Sequence, residues 1–159
     1  MWRRELIIGF ASSPLAALAL PARAASHPLV VIVSARSALK DLPVADLRRI
    51  YLSHTREVED TRVVPFNLPH GKAERVQFDQ VVLGMSPEES GRYWVDQRIR
   101  GKPKPPRTIH DPGLVVRVVA KFPGAIAYVR PDQLSRGVRP LTLSGEQYTG
   151  PEYPLAGEK

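Results

Sequence analysis

Pro28-Leu-Val-Val-Ile-Val33, followed by Ser34-Ala-Arg-Ser37, decides the fold class of this chain. A strand with one wet face alternates apolar and polar residues. An unbroken β-branched run is instead what a strand covered on both faces needs, as in a parallel sheet with helices above and below. The polar Ser34–Ser37 stretch then reads as a loop. Pro43 opens a helix to about Leu52, because a first-turn proline loses no intrahelical hydrogen bond. Val44, Leu47, Ile50 and Tyr51 form its apolar face, with Arg48 and Arg49 toward water.

Moving outward, the same alternation recurs. Arg56 to Thr61 is a charged loop, and Arg62-Val-Val-Pro-Phe-Asn67 is a strand whose Pro65 suits an edge or an end. Leu68-Pro69-His70-Gly71 is a turn. A helix from about Lys72 to Leu83 places Phe78, Val81, Val82 and Met85 on one face, and Gly84 stops it. Ser86-Pro87-Glu88-Glu89 is a capping box for a helix carrying Tyr93, Trp94, Val95 and Ile99. Gly101 ends it, and Lys102-Pro-Lys-Pro-Pro106 is a stiff surface linker. Thr108-Ile-His110 is extended. Asp111-Pro112 caps a helix with Val115, Val118, Val119 and Phe122 inward, which makes Phe122, like Trp94, a core residue. Ala125-Ile-Ala-Tyr-Val129 is a further strand, and Val138 to Leu143 a last one. Strands alternating with helices predict an α/β fold, a mostly parallel sheet flanked by helices.

The ends of the chain differ from this middle. Arg3-Arg4, an apolar stretch from Leu6 to Leu20 and Pro21-Ala22-Arg23-Ala24-Ala25 read as a cleavable export signal, residues 1–24, cut after Ala24. Gly9, Ser12, Ser13 and Pro14 interrupt the stretch, which argues against a membrane anchor of ~20 apolar residues. Arg3-Arg4 before Leu6-Ile7 also fits a twin-arginine signal, and the ordinary export route stays open beside it. The expected compartment is the periplasm. The domain then runs 25–143, with a loosely ordered tail, 144–159, in which proline and glycine are frequent.

The chain holds 23 basic and 16 acidic side chains, of which the signal takes three and one, leaving 20 against 15. A basic exported domain suits anionic ligands or surfaces. The basic residues are dispersed and no DNA-binding motif occurs, which argues against nucleic acid. Cysteine is absent, so there is no disulfide, thiolate metal site or thiol nucleophile. No apolar run after the signal approaches membrane-spanning length.

Enzymatic signatures are missing: no G-x-S-x-G, P-loop, H-E-x-x-H or paired carboxylates. His70 and His110 each precede a helix, but the four histidines have no metal-ligand spacing, and exposed loop histidines are the plainer reading. No metal and no cofactor is expected. Strand-to-helix turns are the better candidates, since helix N-termini present unpaired N–H groups and a positive dipole end. There are three: Ser34–Ser37, Pro69–Lys72 and Thr108–Asp111. Gly71 lets backbone approach a ligand, and Lys72 and Arg75 add charge. The expected ligand-binding set is Ser34, Ser37, His70, Gly71, Lys72 and Arg75. Against it stands the plainer view that every α/β domain has such turns and that Lys72 and Arg75 lie on a solvated helix face.

An ordered set of short matches points further. It comprises Val44-Ala-Asp-Leu-Arg-Arg-Ile-Tyr-Leu52, Val63-Val-Pro-Phe-Asn67, Phe78 to Gly84, Val82-Leu-Gly-Met-Ser-Pro87, Tyr93-Trp94, Gly101 to Pro106 and Pro123-Gly-Ala-Ile-Ala-Tyr-Val129. Together these resemble the substrate-binding proteins of phosphate ABC transporters, and more closely their short, single-domain periplasmic relatives, across Leu29 to Leu141. The resemblance implies one lobe of a type II periplasmic binding protein that binds a phosphate-like anion without chemistry. Family members place a Ser-Gly-Thr turn at the phosphate, whereas this chain has His70-Gly71-Lys72. Gly71 is retained and both hydroxyls are missing. The alternative is a degenerate lobe serving a membrane sensor or transport complex, with Arg48, Arg49, Arg98 and Arg100 meeting an acidic partner or lipid head groups.

Overall fold

A computed structural model of the chain describes residues 27–157. The expected signal lies outside the described residues. The elements run β1 (Val30–Ser34), β2 (Asp41–Leu42), α1 (Val44–Tyr51), β3 (Glu57–Val58), β4 (Thr61–Arg62), β5 (Val64–Asn67), α2 (Ala73–Phe78), a π-helical segment (Asp79–Leu83), α3 (Pro87–Ile99), β6 (Arg107–Thr108), α4 (Pro112–Lys121), β7 (Ala125–Val129), a 3-10 turn (Pro131–Gln133), β8 (Val138–Pro140) and β9 (Thr142–Leu143).

Five strands form the central sheet in the order β6-β5-β7-β1-β8. β5 is parallel to β6 and to β7, while β1 is antiparallel to both its neighbours, β7 and β8. Four strands therefore share a direction, and the sheet is mostly parallel as expected. β1 itself runs against the others. Its unbroken apolar run specified burial on both faces, and all five of its residues are buried; burial carries no information on direction. The reversal matters for the site, because it carries Ser34 to the opposite end of the sheet from the turns that follow β5 and β6.

The core lies between this sheet and its helices. Leu47, Ile50 and Tyr51 of α1 are buried as expected, with Arg48 and Arg49 exposed. Tyr51, Phe78 and Tyr128 make an aromatic cluster in which Phe78 stacks on Tyr128 at 3.9 Å between ring centroids. After Phe78 the helix widens into the π segment. Each i→i+5 turn shifts the inward face by one residue, so Val82 and Leu83 are buried while Val81 stands 44% exposed. Gly84, at φ 65°, ends the segment in the left-handed region. Ser86 caps α3 with the expected box, its hydroxyl accepting from Glu89 N–H and the Glu89 carboxylate accepting from Ser86 N–H.

Several expectations need correction. Phe122 is not core: α4 ends at Lys121, Phe122 adopts an extended conformation and is 60% exposed, and Val116 is buried instead. The Arg56–Thr61 loop holds a small hairpin, β3–β4, turned by Glu59 and Asp60 with both φ values positive. The tail is packed through Gly157. Tyr153 and Leu155 are fully buried, Leu29 N–H bonds Leu155 C=O, and the Tyr153 hydroxyl bridges Val31 N–H and Leu141 C=O. One tyrosine and one leucine outweigh the prolines around them, because each fills a slot beside β1. Trp94 is buried as expected, whereas its neighbours Val95 and Ile99 are exposed. Gly124 serves a close approach: a Cβ there would sit 2.3 Å from the Arg62 carbonyl oxygen, where β5 enters the sheet beside β7.

Candidate functional site at the carboxyl end of the sheet

Chain direction gathers one set of turns. β5, β6 and β7 end on the same side of the sheet, and β1 begins there. Asn67 pairs with Thr108, and Ile109 N–H donates to Asn67 C=O, so the turns into α2 and α4 start side by side. Gln77 of α2 donates to His27 C=O, which brings the approach to β1 to the same edge. Arg130 and Asp132 follow β7, and with His27 and Pro28 they line a cleft of about 300 Å³.

The centre of this edge is the turn Pro69-His70-Gly71-Lys72. Gly71 holds φ 84°, which a side chain would strain, and the space where its Cβ would sit is open. Lys72 is the N-cap of α2 and its N–H donates to Pro69 C=O. His70, Gly71 and Lys72 are all exposed. α3 and α4 spend their first N–H groups on their own caps, Ser86 and Asp111. α2 has no side-chain cap, so its first-turn N–H groups keep their hydrogen-bonding capacity.

The turn is held from beneath by groups that sequence reading assigned elsewhere. Arg75 is not on a solvated face. It is 3% exposed, its Nε donates to both oxygens of Asp79 at 2.8 Å, and its Nη1 donates to Leu68 C=O at 3.2 Å. Tyr128 donates its hydroxyl to Asn67 Oδ1 and accepts from Leu68 N–H. Burial pushes the Tyr128 phenol well above its ordinary value, so it stays a neutral donor. Tyr51, raised by the same burial and then by Tyr128, donates to Phe66 C=O. Arg75 thus positions the turn, with its Nε and Nη1 committed to Asp79 and Leu68.

Ser34 and Ser37 are not part of this edge. β1 delivers them to the opposite end of the sheet, where Ser34 Oγ donates to Ala120 C=O at the close of α4 and accepts from Arg36 N–H. Ser37 Oγ accepts from Leu39 N–H. Of the six residues expected to bind ligand, His70, Gly71 and Lys72 form one accessible turn, Arg75 lies under it, and the two serines are remote.

Arg130 and Asp132 were missed. Asp132 grips the guanidinium at 2.8 and 3.1 Å; that bond lowers the carboxyl pKa and raises that of Arg130. The Arg75–Asp79 spacing, i to i+4 on a helix, was the signal available for the buried pair. Among the described residues no three His, Cys, Asp or Glu side chains gather in a way that would hold a metal ion. No helix among them is long and apolar enough to cross a membrane.

No protein-family model matches the sequence, and no curated protein matches it. Solved structures do resemble the fold. One is assigned as a phosphate ABC transporter substrate-binding protein, from Clostridium perfringens, with bound phosphate (TM-score 0.62, 18% identity, covering 78% of this chain and 48% of that one). A second is an ABC-type phosphate transport receptor from Vibrio cholerae (0.59, 12%, 75% and 47%). A third is PstS from Borrelia burgdorferi (0.59, 14%, 77% and 49%). The chain spans about half the length of each. Over that span, it has the fold of the substrate-binding proteins of phosphate ABC transporters.

Proposed function

We propose that this is an exported, non-enzymatic binding protein for phosphate or a similar small anion, and that the ligand meets the turn His70-Gly71-Lys72. The uncapped start of α2 carries the reading: free backbone N–H groups, a left-handed glycine and the Lys72 ammonium lie together on an accessible edge. The likeness in fold to phosphate-binding proteins, one of them solved with bound phosphate, supports it. With Arg75 withdrawn and the turn open to water, affinity is modest and falls with added salt. Titration calorimetry with phosphate, sulfate and acetate tests this. Saturable heat with one of the anions, lost in Lys72→Ala, supports it; no heat at millimolar concentrations overturns it.

The burial of Arg75 favours a second reading, an interaction module for a membrane sensor or transport complex, since it removes the strongest anion donor from the turn. Export is common to both readings and rests on residues 1–24. Intact mass of periplasmic protein should correspond to a chain beginning near Ala25; a mass that includes Met1 contradicts it.

A further inference from the structure

The Lys102–Pro106 strap is more than a linker. Ser53 Oγ donates to Lys104 C=O at 2.9 Å, and Lys102 N–H donates to Gln97 C=O, so the carboxyl ends of α1 and α3 hold it down. A cleft opens on each side. One, about 540 Å³, runs between the strap and α3 and is walled by Trp94, Pro103 and Pro105. The other, about 270 Å³, runs between the strap, the end of α1 and the start of β5. They share Lys104 and Pro105, so the strap is their common wall and the pair make a two-sided groove. Five cationic residues line the two clefts, Arg56, Arg98, Lys102, Lys104 and Arg107, and no Asp or Glu does.

The nearest acid on α3, Asp96, is already paired with Arg100 at 2.9 Å. Beside the groove, Val95 and Ile99 stand one helical turn apart and are 55% and 80% exposed. Under its wall, the Trp94 Nε1 and Ser90 Oγ are buried without hydrogen-bond partners. The groove lies at the amino ends of β5 and β6, the opposite end of the sheet from the His70–Lys72 turn.

We infer that this groove docks an acidic, apolar-bearing peptide segment of a partner protein. The cations complement its carboxylates, the Trp94–proline wall takes an apolar side chain, and Val95 with Ile99 extends the apolar contact along α3. A lone inorganic anion would leave that apolar wall unused.

The groove carries its own reporter. The chain has two tryptophans, Trp2 and Trp94, so full-length protein carrying Trp2→Phe emits from Trp94 alone. The probe is a synthetic peptide of alternating Glu and Leu. The expected result is a saturable change in Trp94 emission that weakens as salt is added. Binding should weaken about tenfold in Arg98→Ser/Lys102→Ser/Lys104→Ser, a set of exposed side chains whose loss leaves the fold intact by circular dichroism. It should weaken comparably when Gln replaces Glu in the peptide, and stay unchanged in Lys72→Ala. Equal binding of the Gln peptide, an unaffected triple variant, or response to phosphatidylglycerol vesicles without response to the peptide would each overturn the inference. Because Lys72 is not involved, failure of phosphate binding leaves this test independent.

Discussion

Replacing Arg75 by Ala should be among the most destabilising single changes in the domain. Arg75 and Asp79 side chains are each 3% exposed, and the guanidinium supplies both short bonds to the carboxylate and one to Leu68 C=O. Its removal strands a buried carboxylate, a loss of about 3–5 kcal/mol, and leaves the Leu68 carbonyl without that donor, about 1 kcal/mol more. For a domain of this size the melting temperature should fall on the order of 20 °C. Urea denaturation followed by far-ultraviolet circular dichroism measures the change. A double-mutant cycle isolates its origin: Arg75→Met with Asp79→Leu removes both charges, and should recover most of the loss, giving a coupling energy of about 3 kcal/mol. A single-variant cost below ~1 kcal/mol with negligible coupling is the behaviour of an exposed pair. That result would refute the assignment of Arg75 as the buried support of the turn.

Tyr153 should make the tail sensitive to alkali. Its pKa is pushed up to about 12, chiefly by burial, so its stabilising contribution is complete below the ordinary value of 10.0 and is lost as pH rises through about 12. Urea midpoints should decline over that window, and Tyr153→Phe, which strips Val31 N–H of its acceptor, should cost about 1–3 kcal/mol at neutral pH; an unchanged midpoint contradicts the packed tail. Phe122→Ala should change stability by no more than about 0.5 kcal/mol, because the ring is 60% exposed. A loss of about 3–5 kcal/mol would return it to the core.

Much of the architecture was legible in local patterns. The capping box at Ser86, the Asp111 cap, the apolar face of α1 and the buried strand Ala125–Val129 each follow from rules spanning a few residues. What escaped depends on contacts distant in sequence. Direction of β1 is set by its neighbours β7 and β8, so Ser34 and Ser37 looked as if they joined the His70–Lys72 turn and instead lie at the opposite end of the sheet. The packing of Tyr153 depends on β1, more than a hundred residues earlier. Phe122 satisfied helical periodicity, but α4 stops one residue before it. The turn His70-Gly71-Lys72 was legible because a strand end, a glycine and a helix start are local signals. The burial of Arg75 was not, since its i+4 partner Asp79 also fits a solvated pair.

The most direct test of the central claim is an amide-resolved NMR titration of the protein with inorganic phosphate. Saturable shifts concentrated at Gly71, Lys72, Ala73 and Glu74, and abolished in Lys72→Ala, are the predicted result. Shifts centred elsewhere, or none at millimolar phosphate, would contradict the turn as an anion site.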